Sequence, residues 1–583
     1  MSGSSKSGIP EDAARGEGKG ARDPGSPEGS LTRRKFIQAG AAAGGALVVG
    51  SGSGCSAPDP GRDAAREGST GGGLRAGEPY PVSGFELEEV SITELHAGMV
   101  SGRWTAEEIT RLYLERMEEI DVRGPTLRSV IETNPDALEI ARERDREREA
   151  GRVRGCLHGI PILLKDNIGT YDRTTTTAGS YALEGSIPPE DSGVARRLRE
   201  GGAVLLGKAN LSEWANFRSG RSSSGWSARG GQCRNPYVLD RNPCGSSSGS
   251  GAAVSASLCA GAVGTETNGS IVCPASANGV AGIKPTVGLV SRSRIIPISH
   301  TQDTAGPMAR TLRDAAMMLG CMTGVDPEDP TTAESRGHAH TDYTPFLDPE
   351  GLQGARIGVA TQYAEGHERV EALFAEALDV MRAAGATVVE VPRVEAWRQM
   401  GRHSGTVMRY EFKADLNAYL EGLGPSAPVR SLEEIIAFNE ANAEREMRYF
   451  QQEIMVQSQE RGPLTEPEYQ EALAEMLRLA RDEGIDGVMA EHELDAIVAP
   501  TGSPAWTTDL INGDRYHMGS SSPAAVAGYP NITVPMGSFL GLPVNVSFWG
   551  RAWAEPELLR IAYAYEERTR HRLAPRFIPT LDL

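Results

Sequence analysis

Two short stretches dense in serine and glycine lie inside otherwise apolar sequence, and they restrict what this chain can become more than anything else in it. The first is Gly245-Ser246-Ser247-Ser248-Gly249-Ser250. The second, Thr265-Glu266-Thr267-Asn268-Gly269-Ser270, follows an Ala/Leu/Val-rich run over residues 252–263. Small residues tolerate φ > 0 and let the backbone approach a substrate closely. A flexible linker has similar composition. Linkers, however, do not alternate with core, and the 252–263 run reads as a buried helix or strand. The two blocks therefore read as turns of a site. Asn268-Gly269-Ser270 reads as a tight turn that points several N–H groups at one oxygen and aims the Ser270 hydroxyl at a carbonyl carbon.

Upstream, Gly159-Ile160-Pro161-Ile162-Leu163-Leu164-Lys165-Asp166 puts a lysine at the end of an apolar strand. Amide hydrolysis needs a nucleophile, a base that later serves as an acid, and donors for the oxyanion. Lysine acts as a base only when neutral, so its pKa must fall from about 10.4 towards 7–8. Desolvation does this to an ammonium group. A lysine at a strand end is also commonly a solvated or paired surface residue, and Asp166 follows at once. On these residues alone both readings stand.

Around these segments, apolar periodicity alternates between helix and strand. Thr105 and Glu108 form a capping box ahead of Ile109, Leu112, Leu114, Met117 and Ile120 at helical spacing. Helices are expected over 137–151, 193–201, 309–320 and 370–384. Strands are expected over 160–164, 203–206, 355–360, 386–391 and 494–500. This alternation argues for an α/β sheet covered by helices. Residues 395–487, rich in Glu, Arg, Ala, Met and Tyr, read as a helical insertion, either a wall of the substrate pocket or a solvated layer. There is no internal repeat.

The formal charge of −19 argues against nucleic acid and against charge-driven binding to an anionic membrane. Residues 1–30 are Gly, Ser, Pro and charge, the composition of disorder. Thr32-Arg33-Arg34-Lys35-Phe36-Ile37 precedes an apolar stretch over 39–50 that is too short to span a bilayer. It has the order of a twin-arginine export signal. Such a signal implies a periplasmic, extracellular or envelope-anchored protein that folds before export. Cys55 is a candidate lipid anchor, without the leucine that normally leads that motif; cleavage nearby is the alternative. Residues 56–83 read as a flexible tether. Cys156, Cys233, Cys244, Cys259, Cys273 and Cys321 lack metal-ligand spacing. Folding in the cytoplasm makes free buried thiols the expectation for most of them.

The segment Asn242-Pro243-Cys244-Gly245-Ser246-Ser247-Ser248-Gly249-Ser250, with Gly264-Thr265-Glu266-Thr267-Asn268-Gly269-Ser270-Ile271-Val272-Cys273-Pro274-Ala275, resembles the amidase signature family. Gly282-Ile283-Lys284-Pro285 and Gln302-Asp303-Thr304-Ala305-Gly306-Pro307-Met308 add to the likeness, and its central block is similar to the peptide amidase branch. The resemblance implies a mixed central sheet with helices on both faces over residues 84–583, after a start and signal region (1–55) and a linker (56–83). It implies a Ser-Ser-Lys triad. Counting back 24 positions from Ser270 selects Ser246, which relays a proton from Ser270 to Lys165. The backbone amides of Thr267, Asn268, Gly269 and Ser270 would hold the oxyanion. The implied reaction is hydrolysis of carboxamides, with C-terminal amides of peptides as one candidate class, through an acyl-enzyme and with no cofactor or metal. Cys244 stands where a first glycine is usual, and Val272 where many members carry arginine.

Three other readings compete. Gly245-Ser246-Ser247-Ser248-Gly249 fits G-x-S-x-G of a Ser-His-Asp hydrolase with Ser247 as nucleophile and His300, His338, His340 or His517 as partner. An A-type amidotransferase subunit that works on charged tRNA shares the triad. An exported binding protein on a decayed amidase fold would share the pattern without the activity. His338-Ala339-His340 is the one close histidine pair in the sequence, and no carboxylate spacing completes a metal site around it.

Overall fold

The computed structural model describes residues 75–583, Ser426 excepted. The twin-arginine pair, Cys55 and most of the tether lie outside the described residues. The strands are β1 (Val130–Thr133), β2 (Pro161–Lys165), β3 (Val204–Ala209), β4 (Trp226–Ser227), β5 (Gly231–Gln232), β6 (Gly261–Glu266), β7 (Ala281–Lys284), β8 (Thr304–Ala309), β9 (Arg356–Ala360), β10 (Thr387–Val391), β11 (Ala496–Pro500), β12 (Asn531–Phe539) and β13 (Leu542–Trp549). β4 and β5 pair only with each other. The rest form one eleven-stranded sheet in the order β1-β3-β2-β6-β8-β7-β12-β13-β11-β9-β10.

The sheet is mixed, as the family resemblance implies. β2 runs parallel to β3 and β6, and β9 parallel to β10 and β11. The pairs β6–β8, β7–β8 and β12–β13 are antiparallel. Every residue of β2, β3, β6, β8, β11 and β13 is buried. Strands covered on both faces lose the apolar/polar alternation of half-buried ones, and helices supply the cover. Leu312–Met322 packs on β8 and β7, Glu555–Thr569 on β12, and Val272–Ala277 on β12 and β13.

The expected strands at 160–164, 203–206, 355–360, 386–391 and 494–500 all appear within a few residues of their expected bounds. The helix expected over 309–320 begins only at Leu312, because Thr311 caps it by accepting from the Asp314 amide and Ala309 ends β8. The run over 252–263 divides into the end of helix Ser248–Ser255 and the start of β6. The insertion over 395–487 is helical, led by Glu395–Gly422. Its Phe412, Leu416 and Leu420 join Trp214, Ile296 and Ile298 in one apolar cluster. It is therefore packed onto the main body, not a solvated layer.

Candidate active site

β2 and β6 lie side by side in parallel, and this pairing brings the two sequence signals together. Lys165, the last residue of β2, is wholly buried. Its Nζ donates to Ser246 Oγ at 2.7 Å, to Thr265 Oγ1 at 2.8 Å and to Thr265 O at 3.2 Å. Burial lowers its pKa to about 7, against the opposing pull of Asp303 and Glu266. Asp166 does not pair with it. Successive strand residues point to opposite faces, and the Asp166 carboxylate accepts from the Thr177 hydroxyl and the Gly179 amide. Of the two sequence readings of this lysine, the desolvated one describes the structure.

Ser246 follows a cis peptide bond after Gly245. Its neighbour Ser247 donates an amide hydrogen bond to the Ser270 carbonyl at 3.2 Å. The serine block and the second turn are thus stitched together one residue from the Lys165–Ser246 contact. No direct hydrogen bond joins the Ser246 and Ser270 hydroxyls among the described residues. Ser247 Oγ is itself engaged, donating to Thr265 O and accepting from Thr265 N. Ser248 Oγ donates to Cys244 O.

The turn at 267–270 has a particular electrostatic character. Among the described residues, the amides of Thr267, Asn268, Gly269 and Ser270 donate to no protein acceptor. The next two, Ile271 and Val272, both donate to Glu266 Oε2, at 2.7 and 3.1 Å. Gly269 has φ +81°, where a side chain would be strained and where an added Cβ would sit 3.0 Å from Ser521 Oγ. Unspent amides beside a serine hydroxyl are the components of an oxyanion hole. The turn is braced from outside. Thr267 Oγ1 donates to Asp303 Oδ1 at 2.5 Å, Gln302 Nε2 donates to Thr267 O, and Ser521 Oγ donates to Asn268 Oδ1. Burial lifts the Asp303 carboxyl to about 6 in spite of hydrogen bonds from Thr267 Oγ1 and the Ile298 and Ser299 amides.

A cavity of about 390 Å³ opens onto the turn, with Ser270 and Gly245 in its floor and Phe217, Met408, Trp506 and Tyr516 among its walls. Met408 belongs to the helical insertion, so the insertion does wall the pocket. Cys244 and Cys273 line the same cavity and are joined by a disulfide. Cys156, Cys233, Cys259 and Cys321 are free, in line with the expectation for most of these six cysteines, and Cys244 and Cys273 are the exceptions. The departure from glycine at position 244 thus has a partner 29 residues on.

The profile of the Amidase family matches residues 108–559. The chain belongs to the amidase family. A "Probable amidase" of Arabidopsis thaliana is 43% identical over 506 residues, covering 85% of this chain and 93% of the relative. The crystal structure of native peptide amidase from Stenotrophomonas maltophilia superposes with a TM-score of 0.81 at 51% identity, covering 85% of this chain and all of that one. The A-type subunit of a glutamyl-tRNA(Gln) amidotransferase from Thermosynechococcus vestitus is 34% identical over 512 residues, 82% of this chain and 98% of the relative. This amidase is an amide-hydrolysing enzyme.

Among the described residues no histidine hydrogen-bonds to Ser246, Ser247 or Ser270, and none lines the cavity over Ser270. His300 donates or accepts at Nδ1 with Asp415 and lies 3.3 Å from Glu411 at Nε2; burial opposes its charge, but these carboxylates outweigh it and raise its pKa. Its two ring nitrogens face different carboxylates, and Glu411 is held by Tyr469, Ser299 and Thr301 as well. That cluster reads as an ionic clamp between the insertion and the 298–303 loop. His338 stacks on Trp553, and His340 packs against Tyr343 and Phe346. Several working residues carried no individual signal in the sequence: Thr265, Asn167 (which donates to Thr265 Oγ1) and Ser521. Asp303 and Gln302 stood within a recognised motif, but nothing local in sequence ties them to Thr267.

Proposed function

We propose that the amidase cleaves carboxamides by a Ser-Ser-Lys mechanism, with Ser270 as nucleophile, Ser246 as proton relay and Lys165 as base. The observation that carries this reading is the wholly buried Lys165 amine, 2.7 Å from Ser246 Oγ and neutral for a substantial fraction of the time near pH 7. In the forward step Ser270 Oγ attacks the carbonyl carbon, and its proton passes through Ser246 to Lys165. The amides of Thr267, Asn268, Gly269 and Ser270 take up the oxyanion. Collapse of the intermediate returns the proton to the leaving amine and leaves an acyl-Ser270 ester. Water then attacks the ester, its proton passing through Ser246 to Lys165 and returning to Ser270 Oγ as the carboxylic acid product leaves.

The substrate class we propose is C-terminal amides of peptides, with ammonia as the leaving group. Its support is the 51% identity to a peptide amidase and a pocket with aromatic and thioether walls suited to a peptide side chain. Ammonia release from a panel of peptide amides, short aliphatic amides and aryl acylamides tests it. Peptide amides should give the highest kcat/KM. Preference for an aryl or short aliphatic amide would overturn the substrate while leaving the triad intact. Ammonia transfer to a charged tRNA would instead favour the amidotransferase reading.

Export by the Arg33-Arg34 signal, with or without lipid at Cys55, is part of the same proposal. Replacing both arginines by lysine should trap the enzyme in the cytoplasm. Unchanged fractionation of that variant would overturn the export reading.

A further inference from the structure

Among the described residues four cysteines are free, and they fall into two kinds. Cys233 and Cys259 are fully buried, and burial raises the pKa of both thiols. Cys156 and Cys321 are half-buried and line a surface cavity of about 510 Å³ whose walls include none of the residues assigned to catalysis. Their sulfurs are 2.8 Å apart across 165 residues of chain. A disulfide bond is about 2.0 Å long, so the two sulfurs stand less than ~1 Å from bonding distance. Cys156 lies in the turn leading into β2, and Cys321 lies in the last turn of the helix Leu312–Met322, which packs on β8.

We propose that Cys156 and Cys321 are a site of covalent modification, forming a second, solvent-accessible disulfide that fastens the turn before β2 to the helix Leu312–Met322. The oxidant is an exchange-competent disulfide, such as oxidised glutathione or the active-site disulfide of a thiol oxidase. The Cys156 thiolate attacks one sulfur of that disulfide, forming a mixed disulfide and expelling one thiolate. The Cys321 thiolate then attacks the Cys156 sulfur and expels the second. Two protein thiols are oxidised, the reagent disulfide is reduced to two thiols, and the two protons pass to those leaving groups or to water. Either sulfur can donate to the other across this contact, so the two thiols can exchange the roles of first and second attacker. Half-exposure separates this pair from Cys244–Cys273, which is buried.

The effect would be mechanical. β2 ends in Lys165, and the helix Leu312–Met322 covers β8 and β7. A bond between their flanks closes a loop of 165 residues, and long loops gain most from closure. The Cys156–Cys321 bond would therefore stabilise the fold without entering the site.

The test uses the full chain equilibrated with excess oxidised glutathione, denatured, alkylated, cleaved without reduction and analysed by mass spectrometry. The expected products are the Cys244–Cys273 pair already present and a new linked peptide pair containing Cys156 and Cys321, two hydrogens lighter than the sum of its parts, with Cys233 and Cys259 alkylated. Alkylation of both Cys156 and Cys321, or a persistent glutathione adduct on each, would overturn the proposal. Cys156→Ser and Cys321→Ser should each keep wild-type amide turnover. In oxidising buffer each should melt about 5 °C below wild type, and in reducing buffer together with it. Equal melting in both buffers would remove the fastening role.

Discussion

Lys165→Met is the most searching single perturbation of this enzyme, because it should lower activity and raise stability at once. Methionine keeps the apolar stem and removes the amine. Loss of the base should cut kcat/KM for ammonia release by about 10³-fold or more, since general base catalysis contributes roughly 10²–10⁴-fold and the nucleophile fails with it. Stability moves the other way. Holding the amine at a pKa of about 7, down from 10.5, costs about 5 kcal/mol at ~1.36 kcal/mol per unit. The hydrogen bonds from Nζ to Ser246 and Thr265 return about 1 kcal/mol each. The variant should therefore be about 2 kcal/mol more stable at neutral pH.

The pH dependence fixes the cause. A lysine whose folded pKa is lowered binds fewer protons in the folded state than in the unfolded state. Its penalty is fully present below about pH 7 and fades as pH rises towards about 10.4. Urea unfolding at pH 7 and pH 9 should show wild type gaining about 2 kcal/mol on the variant. A gap of the same size at both pH values would mean that the folded enzyme keeps the amine charged, and the proposed mechanism would fall. Near-normal turnover by the variant would refute it equally.

In wild type, kcat/KM should fall about tenfold per pH unit below about 7 as Lys165 protonates; a flat profile between about pH 5 and 9 contradicts the base assignment. Ser270→Ala should leave only background turnover, with Ser246→Ala severe but less so; the reverse order would exchange their roles. Asp303→Ala removes the acceptor that anchors Thr267 Oγ1 and should lower kcat about tenfold with little change in KM. A change confined to KM would place Asp303 in substrate binding instead. Replacing Cys244 and Cys273 together by serine opens a loop closed across 29 residues and should lower the melting temperature by about 3 °C, which differential scanning fluorimetry would detect; an unchanged Tm would count against a formed bond.

Strands with conventional apolar character were legible in advance. Ile160-Pro161-Ile162-Leu163-Leu164 and Leu494-Asp495-Ala496-Ile497-Val498 announce themselves by burial-prone side chains bounded by turn residues. β8, with the sequence Thr304-Ala305-Gly306-Pro307-Met308-Ala309, does not. Glycine and proline are depleted in strands, and proline within a strand ordinarily argues against a central position. It is central here, paired with β6 and β7, because small residues let neighbouring chains approach: an added Cβ at Gly306 would lie 2.0 Å from Ile283 O. The hairpin of β12 and β13 does carry period-2 alternation, Ile532, Val534 and Met536 on one strand and Leu542, Val544, Val546 and Phe548 on the other, although Asn545 and Ser547 between them are buried too.

The residue types and intervals of the chain determined the chemistry it could perform: one lysine closing an apolar strand, and two serines 24 positions apart in Gly-rich turns. Intervals cannot carry proximity, because Lys165 and Ser246 are 81 residues apart, and nothing local distinguishes a desolvated amine from a solvated one. Tertiary structure decided that. Pairing β2 with β6 removed water from Lys165, the 298–303 loop and the insertion braced the turn at Thr267, and the fold brought Cys244 to Cys273. Burial and contact are properties of the packed whole, and they made an ordinary lysine a candidate base.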